Sequence, residues 1–517
     1  MVKEYESLKV KKMEKLSRSL LRQIQVPANV TVGPLNLGPE QVLQFGEGNF
    51  LRAFVGWLFQ QLSLAGKFSG SIVVVQPIAQ GMSAAINDQQ GLYTLLLRGL
   101  EQGQLVEKRE IVTNISRALN AYSQWAEVVA VAESEQLQYI VSNTTEAGIV
   151  LDEQDQLAMQ PPQSYPAKLT ALLYARYQKF QGAADKGLVI IPCELIENNG
   201  KTLRQIVLQL ATNWQLPAEF ITWLKEANTF VSTLVDRVVT GYPREEAATI
   251  CERLGYQDDL LVAAELYHLW VIEGPETLAA RLPFREIGLN IIWTADQRKY
   301  RERKVRILNG AHTTGIPVSY QYGLDTVKEM MDNPVTGNFV RQAIYQEILP
   351  ALADSDREAL DNLAAEVINR FNNPYIKHYL LSILLNSSSK YRARVLPSLL
   401  DYQQKYQKLP RRLVFALSCL LNVYSLGEIV AGKLTCKRDK TEFAMQDDLA
   451  TLELFTAIWQ EYQQGLPLEQ VTAKLLGAVQ VWGQDLNKVP HLTEAVSKFL
   501  IEIKALGVKA VLDNMQK

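Results

Sequence analysis

The sequence predicts an α/β N-terminal domain built on a parallel sheet, followed by a mostly α-helical C-terminal domain. From about residue 40 to residue 200, short β-branched runs alternate with segments whose apolar residues are spaced by three and four. This alternation is typical of right-handed βαβ units. After about residue 300, long helical periods follow one another with few strand signals. A chain of 517 residues is long enough to form two substantial domains.

The individual elements are predicted from the same periodicities. In the N-terminal half, the strand candidates are 42–45, 72–75, 139–142 and 188–192, and the helix candidates are 50–65, 165–180 and 201–212. In the C-terminal half, the helix candidates are 326–331, 338–353, 357–371, 376–385, 411–424, 449–464 and 494–514. Surface loops are predicted at 161–162 and 432–440.

The domain boundary is predicted where the apolar run that ends at Trp293 gives way to the charged stretch 296–304. The chain then consists of an N-terminal extension, 1–35, an α/β domain, 36–297, and a helical domain, 298–517. In the first 22 residues, lysine and arginine are interspersed with glutamate, and no apolar stretch of signal-peptide type follows. We therefore expect this segment to be a solvated amphipathic leader.

Composition and charge exclude several classes of protein. The 53 lysines and arginines against 55 acidic residues leave a net charge of −2, so no overall field attracts nucleic acid or an anionic membrane. No apolar run reaches the roughly 18 residues that a membrane-spanning helix needs. The four histidines and four cysteines have neither HExxH nor CxxC spacing, which argues against a metal site, a redox dithiol and a secreted disulfide scaffold. We expect a cytoplasmic protein without a catalytic metal.

A glycine-containing motif follows the first predicted strand of the α/β domain. It reads QFGEGNFLR over residues 44–52 and opens a predicted helix. Glycines at such a bend let the backbone approach a pyrophosphate, which is stabilised by the free N–H groups of the helix N-terminus. The candidate cofactor-binding residues at this bend are Phe45, Gly46, Gly48, Asn49 and Phe50. A GxG pattern by itself is also typical of a tight turn without a ligand.

The second predicted strand runs into Gln76. Dinucleotide-binding domains that prefer NAD usually carry an acidic residue after this strand, where it bonds the ribose hydroxyls. Gln76 is a candidate for bonding the ribose, but it lacks the charge that repels a 2′-phosphate. The residues alone therefore leave the choice between NAD and NADP open.

The stretch KVRILNGAH, 304–312, is the most suggestive of chemistry. In a regular helix, Asn309 would lie about 140° and His312 about 80° from Lys304, so the three side chains can face one cleft. A lysine, an amide and an imidazole together can donate a proton, polarise a carbonyl and orient a hydroxyl. The alternative is a surface lysine, a turn at Asn309-Gly310 and a histidine satisfied in the core.

Several blocks of sequence, in this order along the chain, resemble the mannitol dehydrogenase family of long-chain polyol dehydrogenases. The blocks are GEGNFLR at 46–52, SNTTEAG at 142–148, SYPAKLT at 164–170, IPCELIE at 191–197 with Asn199-Gly200, VDRVVTGYP at 235–243, Lys304 with Asn309 and His312, and RF with NPYIKH within 370–378. The resemblance covers roughly residues 40 to 450.

The resemblance implies a Rossmann-type N-terminal domain, a helical C-terminal domain, an active site between them and no metal. It implies NAD as the cofactor, bound in part by Asn143, Thr145, Glu146 and Asp236. It implies that Lys304 is the catalytic lysine, that Asn309 polarises the carbonyl and that His312 contacts the substrate. The sequence departs from the family at Leu195, where mannitol dehydrogenases have an asparagine, so Asn199 is the remaining candidate for a second oxyanion donor.

Among members of the family, the sequence most resembles those that act on hexuronate ketoacids. This implies an NAD-dependent reductase that interconverts D-tagaturonate and D-altronate in hexuronate catabolism, with fructuronate or an uncharged polyol as alternative substrates. The carboxylate of a ketoacid requires a fixed cation or several aligned donors. The candidates are Lys377, His378 and Arg394, with Lys377 first because it continues the Asn-Pro block; a solvated position is the alternative for each. A nucleotide-binding regulatory protein without catalysis is the alternative from another functional class.

Overall fold

A computed structural model describes residues 13–144, 148–353, 356–438 and 441–516. The chain divides into two compact units, of which the first ends at Gln297 and the second begins at Arg298. Each unit has hydrophobic core clusters of its own. The first unit combines strands with helices, whereas the second is mostly helical. The predicted fold class is thereby confirmed.

The first unit contains parallel and mixed sheets flanked by helices. Its strands are β1 (Val30–Val32), β2 (Glu40–Phe45), β3 (Ser71–Gln76), β4 (Tyr93–Glu101), β5 (Gln104–Val112), β6 (Ile115–Asn120), β7 (Tyr139–Ser142), β8 (Val189–Pro192), β9 (Thr229–Phe230), β10 (Ser232–Asp236), β11 (Val239–Gly241), β12 (Val262–Glu265), β13 (Leu269–Glu273) and β14 (Ile291–Thr294). Its α-helices are α1 (Arg18–Leu21), α2 (Asn49–Leu51), α3 (Trp57–Leu64), α4 (Ser83–Asp88), α5 (Trp125–Ala132), α6 (Tyr165–Lys179), α7 (Asn199–Asn213), α8 (Ala218–Glu226), α9 (Ala247–Leu254) and α10 (Thr277–Arg281). A π-helical turn, Arg52–Gly56, joins α2 to α3.

A parallel sheet in the order β6-β3-β2-β7-β8-β9 forms the centre of the first unit. Its inner strands are rich in Val, Ile and Leu because they are buried on both faces. Successive residues therefore enter different cores: Val42 and Ile72 pack on one side, and Leu43 and Val73 pack on the other. The strands and helices predicted between residues 40 and 213 are confirmed, with ends that differ by one or two residues.

No strand is predicted between residues 93 and 112, where β4 and β5 form an antiparallel hairpin. The two residues of its turn, Gln102 and Gly103, both have positive φ, as a type I′ turn requires. The usual Asn-Gly or Asp-Gly signal is absent, which explains why the pattern is hard to recognise. The hairpin belongs to a mixed sheet in the order β1-β5-β4-β12-β11.

The described part of the N-terminal extension packs against this mixed sheet. Leu16, Leu20 and Leu21 are buried among apolar residues of β4, β5 and α9. The Arg18 guanidinium donates a hydrogen bond to the carbonyl oxygen of Thr113 at 2.6 Å. The prediction of a solvated leader is therefore wrong from residue 16 to residue 21, because the side chains of leucines spaced by four are buried in the hydrophobic core beside the mixed sheet.

The second unit is built mainly from helices. They are α11 (Arg298–Arg303), α12 (Gly310–Tyr322), α13 (Val327–Asp332), α14 (Pro334–Ala343), α15 (Leu349–Ala351), α16 (Arg357–Phe371), α17 (Leu380–Leu384), α18 (Ser387–Arg394), α19 (Leu396–Tyr406), α20 (Arg411–Val423), α21 (Leu449–Gln463), α22 (Leu468–Leu476), α23 (Val479–Trp482) and α24 (Leu492–Met515). The strands are β15 (Gly427–Val430), β16 (Lys433–Arg438) and β17 (Thr441–Met445). Helices α12 and α20 are buried along most of their length, as expected for the centre of a helical domain.

Local predictions in three places are wrong. Residues 433–438, predicted as part of a loop, form β16 in an antiparallel sheet with β15 and β17, because alternate residues of this strand are buried. The helix predicted over 376–385 is limited to Leu380–Leu384. Pro161 and Pro162 lie in a loop, but both are buried rather than exposed.

The described ranges contain neither a candidate membrane-spanning helix nor a candidate metal cluster. No helix there is both long and apolar enough to cross a membrane. No group of three or more His, Cys, Asp or Glu side chains in those ranges is arranged to hold a metal ion. The four cysteines are buried and free of disulfide bonds.

Candidate active site

The parallel sheet of the first unit presents its strand ends in the order typical of a dinucleotide-binding domain. Counted from β2, the order is 3-2-1-4-5-6, and it reverses between β2 and β7. In open α/β sheets, ligands bind in the crevice outside the carboxyl ends of the strands at such a reversal. Gln76 ends β3, whereas Gly46, Asn143 and Cys193 directly follow β2, β7 and β8.

The two glycines of the GEG motif have different roles. Gly46 has a φ of +115°, and a Cβ there would lie 2.9 Å from the carbonyl oxygen of Asn143. The glycine therefore permits close packing of the loops after β2 and β7. Gly48 is the exposed N-cap of α2 without a side-chain capping bond, and a Cβ there would meet nothing within 4 Å. The space beside Gly48 and the helix N-terminus fit a pyrophosphate.

Arg52, which was not predicted as a site residue, holds this loop in place through hydrogen bonds. The buried guanidinium donates hydrogen bonds to the carbonyl oxygens of Glu47 at 3.3 Å and Leu260 at 2.6 Å, and to Oδ1 of Asn49 at 2.7 Å. The Tyr93 hydroxyl in turn donates to the Arg52 carbonyl oxygen at 2.6 Å. Asn49 is therefore held at the start of α2 through Arg52.

The two aromatic residues of the motif differ in burial. Phe45 is completely buried and packs on Tyr165 with ring centroids 5.1 Å apart. The ring therefore belongs to the core, and the cofactor contact expected at Phe45 stays a prediction. Phe50 is half-buried and stacks on Phe54 at 5.1 Å.

The side-chain amide of Gln76 makes hydrogen bonds to the backbone of the loop after β3. Its amide nitrogen donates to the carbonyl oxygens of Ile78 at 2.8 Å and Ala79 at 3.1 Å, and its oxygen accepts from the backbone N–H of Ser83 at 3.1 Å. Both amide hydrogens therefore close the loop that follows β3, and the contact between Gln76 and a ribose stays a prediction. Gln76 is also only 2% exposed.

A buried carboxylate, Glu194, orders the loop after β7. It accepts hydrogen bonds from the Ser142 hydroxyl at 3.1 Å and from both the backbone N–H and the hydroxyl of Thr144 at 3.0 Å. Burial raises the pKa of Glu194, and these donors oppose that rise. Asn143, between the two donors, bonds the Cys193 carbonyl oxygen at 2.9 Å. The predicted residues Thr145 and Glu146 lie outside the described residues.

Asn199 is a structural residue rather than a free donor. Its amide nitrogen contacts the carbonyl oxygens of Pro192, Glu194 and Thr233 at 3.0–3.1 Å. Its oxygen accepts from the backbone N–H groups of Gly200 and Thr233 at 2.8 Å. The side chain is completely buried, so the prediction of a substrate contact at Asn199 is wrong.

Asn199→Ala is expected to lower the free energy of unfolding by roughly 2–4 kcal/mol, because several buried backbone groups lose their partner. The KM for substrate of the folded fraction should stay unchanged. Urea unfolding followed by tryptophan fluorescence, together with steady-state kinetics, measures both quantities. Asn213→Ala at the exposed end of the same helix is the matched control. A stable variant with a raised KM would return Asn199 to the substrate site.

The VDR block contributes Asp236 and a buried anchor beside it. Asp236 ends β10 and is 7% exposed. The neighbouring Arg237 donates to the carbonyl oxygens of Ala53 at 2.7 Å and Glu265 at 3.0 Å, and it lies over the Trp57 ring at 4.3 Å. Asp236 is thus attached to the π-helical turn that follows α2.

In the second unit, Lys304–Asn309 forms a π-helical turn between α11 and α12. Hydrogen bonding from residue i to i+5 widens the turn, so Lys304 and Asn309 lie closer to one face than the roughly 140° of a regular helix allows. Both residues are half-buried. By contrast, Arg303 and Arg306 are buried and ion-paired with Asp356 and Asp401. Lys304 is therefore not part of an exposed basic surface.

His312 lies one turn further along, against aromatic rings. Its imidazole stacks on Phe371 with centroids 4.0 Å apart and meets His378 edge to face at 5.2 Å. Nε2 of His312 is buried and has no hydrogen-bond partner among the described residues. A buried polar atom of this kind needs a partner, so this nitrogen fits a ligand hydroxyl.

Several basic residues act electrostatically on His312. Burial is the main reason that its pKa lies well below 6.5, and the charges of His378, Arg370, Arg394 and Lys390 lower it further. Burial also lowers the pKa of Lys390 to about 8, with Arg394 adding to the effect. Glu366 and Asp447 act on Arg370 and Lys390 in turn, so the cluster is partly balanced by acidic groups. Arg394 and His378 of the predicted set belong to this cluster.

Asp447 positions the helix that carries two of these cations. It accepts hydrogen bonds from the backbone N–H of Ser388 at 3.0 Å, its hydroxyl at 2.8 Å, and the Tyr424 hydroxyl at 2.6 Å. The first turn of α18 is fixed in this way, and Lys390 follows within it. Lys377, the first-choice cation in the sequence, is exposed, and its role stays a prediction.

Family models match both units of the chain. The model of the mannitol dehydrogenase Rossmann domain matches residues 40–286. The model of the mannitol dehydrogenase C-terminal domain matches residues 296–504. The chain belongs to the mannitol dehydrogenase family. The resemblance seen in the sequence is thereby confirmed.

Within the mannitol dehydrogenase family, the chain is similar to altronate oxidoreductases. It is 46% identical to the one from Bacillus subtilis (strain 168) over 476 residues, 92% of this chain and 95% of the relative. It is 45% identical to that of Yersinia enterocolitica over 92% of this chain and 96% of the relative. It is 46% identical to the altronate oxidoreductase of Klebsiella pneumoniae, over 91% of this chain and 96% of the relative.

Two solved structures share the fold of this chain. The chain is similar to Pseudomonas fluorescens mannitol 2-dehydrogenase, solved with NAD and D-mannitol, with a TM-score of 0.71 and 19% identity over 97% of this chain and 99% of that one. The chain is also similar to a substrate-free D-sorbitol dehydrogenase, with a TM-score of 0.78 and 19% identity. The match covers 96% of this chain and 100% of that one. At this identity the likeness concerns the fold alone.

Proposed function

We propose that this chain is an NAD-dependent oxidoreductase that interconverts D-tagaturonate and D-altronate in hexuronate catabolism. The observation that carries the proposal is the identity of 45–46% to altronate oxidoreductases over at least 91% of the chain. In this proposal, residues 36–297 bind the dinucleotide, residues 298–517 bind the substrate and catalyse, and 1–35 are an extension. We also assign the enzyme to the cytoplasm, in keeping with its free cysteines.

The residues that would hold the cofactor are in the first unit. The open backbone at Gly48 and the N-terminus of α2 receive the pyrophosphate, and Asn49, Asn143 and Asp236 line the neighbouring strand ends. Arg52 and Glu194 keep these loops in place through the hydrogen bonds described above. When bound, NAD supplies or accepts the hydride.

Lys304 is the proposed proton donor and acceptor. Its ammonium gives a proton to the ketone oxygen of tagaturonate, and the neutral amine takes the hydroxyl proton of altronate in the reverse direction. The Asn309 amide stabilises the negative charge that develops on the same oxygen. The π-helical turn supports this pairing, because it turns Lys304 and Asn309 toward a common side.

The cationic cluster supports a uronate rather than a neutral sugar. The charges of Arg370, Lys390 and Arg394 all act on the imidazole of His312, and the same charges would stabilise a substrate carboxylate bound nearby. His312 itself is uncharged near neutral pH, since its pKa is held well below 6.5. Its unpartnered Nε2 is available to orient a substrate hydroxyl.

Asn309→Ala should lower kcat more than it raises KM, because an oxyanion donor acts mainly on charge that develops in the transition state. Removal of one such donor typically costs about 10²–10³-fold in kcat. Steady-state kinetics with tagaturonate and NADH measure both parameters. A pure KM effect would make Asn309 a binding residue.

The function is tested with a panel of ketoses. Purified protein is incubated with tagaturonate, fructuronate and fructose, each with NADH and with NADPH, and the loss of reduced-cofactor absorbance is recorded. The highest kcat/KM is expected for tagaturonate with NADH. A preference for fructose would contradict the uronate assignment. Activity with none of them, together with nucleotide binding, would favour a non-catalytic regulatory protein.

A further inference from the structure

The nucleotide site lacks the acidic residue that usually follows the second strand of such a domain. Gln76 stands at that position, and its amide closes the local loop. A domain that prefers NAD normally uses a carboxylate here to bond the ribose and repel a 2′-phosphate. A carboxylate from another part of the fold can perform the same task if it reaches the end of β3.

Glu47 reaches this position from the glycine loop. A Cβ at Gly81 would collide with Oε1 of Glu47 and would lie 2.6 Å from Cδ of Gln76. The Glu47 carboxylate and the Gln76 amide thus contact the same point of the loop after β3. The absence of a side chain at Gly81 leaves the space that the carboxylate occupies.

The Glu47 side chain has little room to move. Glu47 is only 9% exposed. The backbone N–H groups of Glu47 and Met82 and the charge of Arg52 favour its ionised form, against the burial that raises its pKa. Its backbone is fixed as well, because its carbonyl oxygen accepts from Nε of Arg52 at 3.3 Å. A carboxylate with so little freedom can distinguish ligands by charge.

We infer that Glu47 takes the place of the missing acid: it accepts a hydrogen bond from the ribose 2′-hydroxyl and excludes nucleotides that carry a 2′-phosphate. This inference rests on the proposed NAD-dependent function. It makes the residue between the two glycines, and not the residue after β3, the determinant of cofactor choice.

The test is direct binding of NADH and NADPH to the full chain without substrate, measured by isothermal titration calorimetry. Wild type should bind NADH more tightly than NADPH. Glu47→Gln keeps the shape of the side chain and removes its charge, so the ratio of the two dissociation constants should shrink by about 10-fold or more. Glu135→Gln is the matched control, because Glu135 is exposed and precedes the amino end of β7; it should keep the wild-type ratio.

The outcomes separate the two proposals. If wild type binds neither nucleotide, the proposed function fails and the inference falls with it. If wild type prefers NADH and folded Glu47→Gln keeps the full preference, only the inference is overturned. Circular dichroism checks the fold, and if Glu47→Gln is unfolded, Glu47→Ala is measured in the same way. Equal affinity of wild type for NADH and NADPH also overturns the inference.

Discussion

Lys304→Ala is expected to lower kcat by about 10²–10⁴-fold, the usual contribution of a general acid or base. The affinity for NADH should stay nearly unchanged, because the proposed nucleotide contacts are all in the first unit, whereas Lys304 is in the second. Steady-state kinetics in both directions and NADH fluorescence titration measure the two effects.

The control for this variant is Lys299→Ala. Lys299 is exposed and lies on the helix that precedes the π-helical turn, so its removal should leave kcat unchanged. Near-normal kcat in Lys304→Ala would show that the proton comes from another group. Loss of NADH binding in the same variant would make Lys304 a cofactor contact.

Arg394→Met should reduce kcat/KM for tagaturonate by roughly 10- to 150-fold, because a charge-assisted hydrogen bond typically contributes about 1.5–3 kcal/mol. Any weak activity on fructose should fall much less, since fructose has no carboxylate. Arg394 is preferred over the exposed Lys377 because its charge acts on the buried His312. The ratio of kcat/KM for the two substrates is the quantity to compare.

Two further variants complete the comparison. Arg392→Met removes an exposed cation from the same helix and should leave the ratio unchanged. Lys377→Met tests the cation that the sequence favoured, and a larger loss of the ratio there than in Arg394→Met would restore Lys377 as the principal carboxylate contact. Equal losses on tagaturonate and fructose in Arg394→Met would remove Arg394 from the carboxylate site.

Periodicity predicted the elements that determine the fold. The strands β2, β3, β7 and β8 are continuous apolar runs, and such runs are typical of a parallel sheet that is buried on both faces. The hairpin of β4 and β5 was missed because its turn is Gln-Gly. The small sheet of β15 to β17 was missed because the residues at its turns are typical of a surface loop. Both depend on pairing that a single sequence does not display.

The site was predicted less completely than the fold, and the reason is the same at three positions. Gln76, Asn199 and Phe45 are residue types that suit a ligand site, but partners elsewhere in the fold use them: carbonyl and amide groups of neighbouring loops, or another ring. Conversely, Glu194 was overlooked because only the fold brings hydrogen-bond donors to it, and Glu47 because only the fold brings it beside Gln76. The residue type determines which hydrogen bonds and contacts a side chain can make. The neighbouring residues in the fold determine whether those groups remain available to a ligand.

The π-helical turn at Lys304–Asn309 restricts how this segment can change in length. Deleting one residue there would leave an uninterrupted helix. All of α12 would nevertheless rotate by about 100° relative to Lys304, and His312 would turn away from its present partners, Phe371 and His378. Because α12 is buried along most of its length, this rotation would also displace its core side chains, so insertions and deletions between the lysine and the histidine are expected to impair folding as well as function.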